Sequence, residues 1–149
     1  MFLVYWSSAT TAQCFTSADP VELRLRDGTR LNVSLTFKFS FREEEGRWIP
    51  TTDEYVYWIQ LADTAQDDPR YGLLNWHFHP SAGRTEPHVH VGVDVPGVGA
   101  LRKVHLPTAI VPFEAVIRLL IDMGVVPRFA DWQAKLDASL ELFEPSFRY

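Results

Sequence analysis

Cysteine is almost missing from this sequence of 149 residues, because Cys14 is the only one. A disulfide within the chain and a zinc site built on cysteine thiolates are therefore both excluded. Basic residues are also in deficit, since 14 Lys and Arg stand against 19 Asp and Glu and give a net charge of −5. No overall positive field attracts nucleic acid, although a local basic patch is compatible with these totals.

Long hydrophobic runs are missing as well. No segment approaches the ~20 apolar residues that a membrane-spanning helix requires. The apolar start, Met1–Trp6, precedes the first basic residue, Arg24, and so lacks the positive region of a signal peptide. We interpret this start as a strand, and we expect a cytoplasmic protein that does not associate with membranes.

Alternation of apolar and polar residues dominates the first two thirds of the chain. Its clearest run, residues 30–41, comes directly after an Asp27-Gly28 hairpin signal. Residues 7–20 and 80–87 have loop composition. Further strands are predicted over 21–26, 55–61, 74–79, 88–94 and 102–106.

Helical spacing replaces alternation near the end, over residues 112–123 and 131–143. Gly124 is the predicted C-terminal cap of the first helix. The sequence thus predicts a single α+β domain over 1–149. Its fold would be an antiparallel meander sheet of about six strands, from about 21 to 106, with two C-terminal helices packed on one face.

Four of the five histidines form two His-x-His pairs on neighbouring predicted strands. Side chains two apart on a strand share a face ~7 Å apart, and cross-strand neighbours come within ~5 Å. Alternation assigns the four imidazoles to the face opposite the helices. On the next strand it places His105 on the polar side, together with Lys103. The four members of the two pairs are His77, His79, His88 and His90.

Clustered imidazoles support metal binding as one chemistry. Neutral imidazoles are good ligands for transition metals, and zinc is the most favoured ion for His77, His79, His88 and His90. Three such ligands with an open position would activate water. A carboxylate from Glu86 or Asp94 could complete the site.

The second chemistry is metal-free acid–base catalysis, in which one neutral His takes a proton and one imidazolium donates one. His88 and His90 are the leading candidates, and His77 and His79 come next. This set suits phosphodiester cleavage of RNA. The candidate substrate or phosphate contacts are Arg84, Arg102, Lys103 and His105. A histidine pair on an exposed strand is also compatible with an inert surface, and two pairs weaken that explanation.

The two histidine segments, together with the helix after them, resemble the TumE-like toxins of bacterial toxin–antitoxin modules. An aromatic strand, Leu74–Pro80, and a histidine-rich stretch, Pro87–Gly92, precede an apolar helix over Pro112–Leu120. The resemblance covers roughly residues 21–123 and implies action on RNA or translation, with a cognate antitoxin as partner. This chain is longer, and its first histidine pair replaces a more acidic or amide-rich stretch, so only His88 and His90 carry over.

Three functions from different classes remain open on the sequence alone. The leading one is a small histidine-dependent hydrolase or nuclease, in the form of a toxin-module ribonuclease acting on RNA. The second is a His-coordinated metal-binding protein or metalloenzyme, and a homodimer is compatible with either. The third is a non-enzymatic acidic adaptor or inhibitor, whose interface would use the polar strand face with Arg30, Asn32, Thr36 and Lys38.

Overall fold

A computed structural model of the chain provides the fold. It describes residues 2–6, 13–17, 20–65, 68, 72–80, 84–92, 94–95, 99–100 and 103–143. Its elements are β1 Phe2–Trp6, β2 Gln13–Ser17, β3 Val21–Arg24, β4 Arg30–Glu44, β5 Arg47–Leu61, β6 Gly72–His79, β7 Arg84–Val91, β8 Asp94–Val95, β9 Gly99–Ala100, β10 Leu106–Pro107, α1 Phe113–Asp122 and α2 Trp132–Phe143.

One antiparallel sheet contains eight of the strands in the described part of the chain. The order is β1-β2-β4-β5-β6-β7-β10, and β3 pairs with β4 beyond the end of β2. Strands β3 to β7 and then β10 succeed each other in sequence and in space. The predicted six-strand meander with two C-terminal helices is therefore confirmed.

The sequence interpretation was wrong at three places along the sheet. Residues 7–20 contain a strand, β2, which pairs with both β1 and β4, so the sheet begins before residue 21. The loop predicted over 80–87 is shorter, because β7 begins at Arg84. The last strand is β10 at Leu106–Pro107 rather than 102–106. Small and polar residues concealed β2, because strand pairing tolerates them where the partner strand supplies the large side chains.

The long β4–β5 hairpin turns at Glu45 and Gly46. Both residues have positive φ, 51° and 74°, as a two-residue type I′ turn requires. Glycine adopts this conformation without strain, and Glu43 and Glu45 before it are exposed. The turn therefore fixes the register of the two longest strands.

The hydrophobic core lies between one face of the sheet and α1. Cross-strand partners put the apolar residues of β4, β5 and β6 on that face, because opposite residues in an antiparallel pair project to the same side. Val116 and Leu120 of α1 pack against it. The buried core residues are Leu31, Val33, Tyr55, Tyr57, Ile59, Phe78, Val116 and Leu120.

The end of α1 is a Schellman motif. Gly124, with φ 115°, donates its N–H to the Ile121 carbonyl, and Val125 donates to the Leu120 carbonyl. The predicted cap at Gly124 is therefore confirmed. Helix α2 then packs against α1, where the Ser139 hydroxyl donates to the buried Glu114 carboxylate at 2.5 Å. Among the described helices, none is both long and apolar enough to cross a bilayer.

The open end of the β6–β7 hairpin is held by a close backbone contact between two glycines. The Gly92 N–H donates to the Leu73 carbonyl at 2.9 Å. A Cβ added to Gly92 would lie 1.5 Å from the Gly72 carbonyl oxygen, which no side chain can tolerate without a backbone shift. A Cβ added to Gly72 would meet only the Trp58 indole nitrogen at 3.5 Å, an ordinary contact.

Gly92→Ala is therefore expected to destabilise the protein by about 3 kcal/mol, the upper end of overpacking costs. Gly72→Ala is the matched control and should cost less than about 1 kcal/mol. Urea unfolding followed by tryptophan fluorescence measures both. Equal costs for the two variants would contradict the close-contact explanation.

Candidate metal centre

The β6–β7 hairpin brings the histidines together through its register. His77 pairs directly with His88, and Asn75 pairs with His90. These residues project from the face opposite the core, because Trp76 and Phe78 pair with Tyr57 and Tyr55 on the core side. The predicted orientation of the histidines, away from the helices, is confirmed for this hairpin.

Five imidazole rings form one continuous cluster on this face. Within the central triad of His77, His88 and His90, ring centroids lie 5.3–5.4 Å apart. His79 adjoins it at 5.3 Å from His77 and 5.5 Å from His88. His105 adjoins the other side, at 4.7 Å from His88 and 4.4 Å from His90. The structure therefore brings together all five histidines, including the one whose register the sequence left open.

The triad is the part of the cluster suited to one ion. One ring nitrogen from each of His77, His88 and His90 lies within 4.8 Å of the others. Two nitrogens bound to one tetrahedral zinc ion at ~2.1 Å are ~3.4 Å apart. Small rotations of the rings close that difference, so the three imidazoles could hold a transition metal.

A distortion of β7 lies directly beside His88. Regular pairing beyond His77 and His88 would put His79 opposite Glu86, but His79 pairs with Arg84, so β7 carries two extra residues here. Pro87, which has no N–H for the ladder, lies within this bulge. The Glu86 carbonyl is then 3.1 Å from His88 Nδ1.

This contact determines the tautomer of His88. A carbonyl oxygen only accepts hydrogen bonds, so Nδ1 carries a proton, and in the neutral ring Nε2 is the nitrogen with the lone pair. Ligand histidines typically donate their second ring N–H to a carbonyl or carboxylate in the same way. His88 is also the most buried member of the cluster, with 4% of its surface exposed. Glu86 thus contributes its backbone, whereas its exposed side chain does not belong to the triad.

Two further ring nitrogens lack partners inside the cluster. His77 Nε2 and His79 Nε2 are shielded from solvent and have no hydrogen-bond partner in the described part of the chain. Buried polar atoms are normally paired, and an exception calls for a water or an ion. The donor chemistry and these orphaned nitrogens both fit a metal ligand set.

The pKa of His77 is lowered to about 4, mainly by burial and then by the neighbouring imidazoles. Its ring is therefore neutral at pH 7, and a metal ion does not have to displace a proton from it. The unfolded chain would bind this proton at a pKa near 6.5. Between these two values the unfolded state holds more protons, so stability falls as the pH falls.

Metal-free protein is accordingly expected to lose stability between pH 6.5 and pH 4, beyond the loss shown by a His77→Asn variant. Urea midpoints measured with a chelator at pH 7 and pH 5 test this. The variant removes the titrating ring but keeps other acid-sensitive groups, so its smaller pH dependence isolates His77. Parallel pH profiles for the two proteins would contradict the assignment.

Among the remaining candidate site residues, the structure describes Lys103 and the backbone of Arg84 and Asp94. Lys103 is exposed and lies in the segment before β10, so the predicted strand alternation of Lys103 with His105 is wrong. Arg84 occupies β7 opposite His79, and its side chain lies outside the described residues. Arg102 also lies outside them, as does the side chain of Asp94.

Two groups beside the cluster were given no role by the sequence interpretation. The Glu86 carbonyl is one, and its only signal was the adjacent Pro87, which favours a bulge. Asn75 is the other; alternation put it on the histidine face, but an amide alone does not indicate a function. Comparisons with protein-family models, with curated proteins and with solved structures find no match for this chain.

Proposed function

We propose that this protein binds one divalent transition-metal ion through His77, His88 and His90. The observation that carries the proposal is the triad itself, whose ligand nitrogens all lie within 4.8 Å of one another on paired strands. The Glu86 contact that orients His88 supports it, because that contact leaves Nε2 available. A neutral, nitrogen-only ligand set favours zinc, copper or nickel over magnesium or calcium.

Hydrolysis is the chemistry that such an ion would supply. Three protein ligands leave a fourth position for water, and a bound Zn²⁺ lowers the pKa of that water toward 7. His105 is exposed and its ring lies 4.7 Å from that of His88 and 4.4 Å from that of His90, so it is near enough to take part in this chemistry. His105 would either complete the coordination or exchange protons with the bound water.

Metal content decides the proposal. Tag-free protein is analysed by elemental mass spectrometry as purified and after loading with Zn²⁺ and removal of excess ion. We expect about one equivalent in the loaded wild type and almost none in a His88→Ala/His90→Ala variant. Wild-type protein that retains no zinc, copper or nickel after loading would contradict the proposal.

Metal-free cleavage of RNA is the second candidate function. Five contiguous imidazoles, with a neutral His77 at pH 7, provide the proton acceptor that such a reaction needs. In that case the protein would be a toxin-module ribonuclease with a cognate antitoxin. RNA cleavage that persists with a chelator and is lost in His88→Ala/His90→Ala would support it. No cleavage by the wild type under either condition would exclude it.

A further inference from the structure

Asn75 lies on the histidine face, beside the cluster, and its side chain has an unusual environment. It is the direct cross-strand partner of His90 on one side and of Trp58 on the other. Its Oδ1 atom is shielded from solvent, yet it has no hydrogen-bond partner within the described residues. A buried amide oxygen left unpaired in this way is uncommon and calls for an explanation.

The bonding needs of imidazole supply one. A neutral imidazole has one N–H and one lone pair, so a histidine that gives its lone pair to a metal must donate its N–H elsewhere. The Glu86 carbonyl meets that need for His88. The same need applies to a metal-bound His90, and directly opposed side chains start from Cβ atoms only ~5 Å apart.

We infer that Asn75 is the positioning residue of the metal centre. Its Oδ1 atom accepts the ring N–H of His90, which fixes the tautomer of that ring and directs its other nitrogen at the ion. This inference rests on the proposed metal-binding function and assigns the second orienting contact of the triad. Glu86 and Asn75 then hold the two β7 ligands from opposite sides, one through the backbone and one through a side chain.

The test compares zinc affinities by competition with a chromophoric chelator. Asn75→Leu keeps the approximate volume and removes the acceptor, and we expect a 10- to 100-fold weaker affinity. Asn75→Asp keeps an acceptor oxygen and should stay within about threefold of wild type, or bind more tightly, since a carboxylate accepts more strongly. Asn32→Leu is the matched control, because Asn32 lies on the same face in β4, away from the histidines, and should bind as wild type does.

A spectroscopic measurement on the wild type guards against misfolding of the leucine variant. Long-range ¹H–¹⁵N correlation of zinc-loaded protein should show a single His90 tautomer and a shift of the Asn75 side-chain amide on zinc binding.

Zinc binding by Asn75→Leu within twofold of wild type would overturn the inference. So would equal losses in the Leu and Asp variants, which would indicate packing alone, or an unchanged Asn75 amide in the wild type. A wild type that binds no zinc would remove both this inference and the proposed function, whereas binding that ignores Asn75 removes only this one.

Discussion

Replacing His88 by alanine is expected to weaken zinc binding at least a hundredfold. His88 touches His77, His79, His90 and His105, and it is the most buried of the five rings. It is also the proposed ligand whose Nδ1 faces a backbone carbonyl. Its removal therefore deletes one ligand of three and the oriented centre of the cluster.

His79→Ala is the control for this effect, because His79 is in the cluster but outside the triad. We expect a change of less than about tenfold, below the range typical of contacts that orient a ligand, because His79 gives no nitrogen to the triad. His105→Ala should behave similarly if His105 borders the open position. Competition titrations at one pH and one ionic strength measure all three variants. A His79→Ala loss as large as that of His88→Ala would mean that the ligand set has been assigned incorrectly.

Zinc is expected to raise the thermal stability of the wild-type protein substantially. A ligand at 100 times its Kd stabilises the folded state by about 2.7 kcal/mol if it does not bind the unfolded chain. For a chain of this size that corresponds to about 5–11 °C in Tm. The ion would link β6 to β7, and it would satisfy the shielded Nε2 of His77, whose ring is neutral at pH 7 and whose Nε2 has no hydrogen-bond partner within the described residues.

Differential scanning fluorimetry with and without zinc measures this shift, and a chelator should reverse it. His88→Ala/His90→Ala is the control for non-specific binding of zinc to surface carboxylates. Magnesium at the same concentration should have no effect, because a nitrogen-only site offers it no oxygen ligands. A zinc-induced rise of equal size in the double variant would place the ion elsewhere on the protein.

Much of this architecture could be predicted from the sequence, and the reasons are physical. Strict alternation in β4 and in the histidine strands identifies both the strand and its buried face, because the side-chain period of a strand is two. Helical spacing and Gly124 identify α1 in the same way. The two His-x-His pairs, which begin at His77 and at His88, could be assigned to one face for this reason alone.

Register and irregular backbone could not be predicted in the same way. The bulge at Glu86 and Pro87 changes which residues lie opposite each other, and the alternation of apolar and polar residues does not reveal such an insertion. β2 escaped prediction because its partner strand supplies the large apolar residues. The contact of His105 with His88 and His90 depends on where β10 begins. A strand of two residues has too short a pattern for that start to be predicted from the sequence.

All three triad ligands come from a single hairpin, and this has a consequence for folding. Closing the short connection between His77 and His88 costs little chain entropy, since that cost grows with the number of residues enclosed. An ion that arrives while the chain is still largely unfolded can therefore be held by these residues before the helices dock. Coordination by His77, His88 and His90 would favour the pairing of His77 with His88, so the proposed metal would act as a template for the correct strand alignment. A slip of one residue is an alignment error open to any hairpin, and the ion would exclude it early in the β6–β7 hairpin.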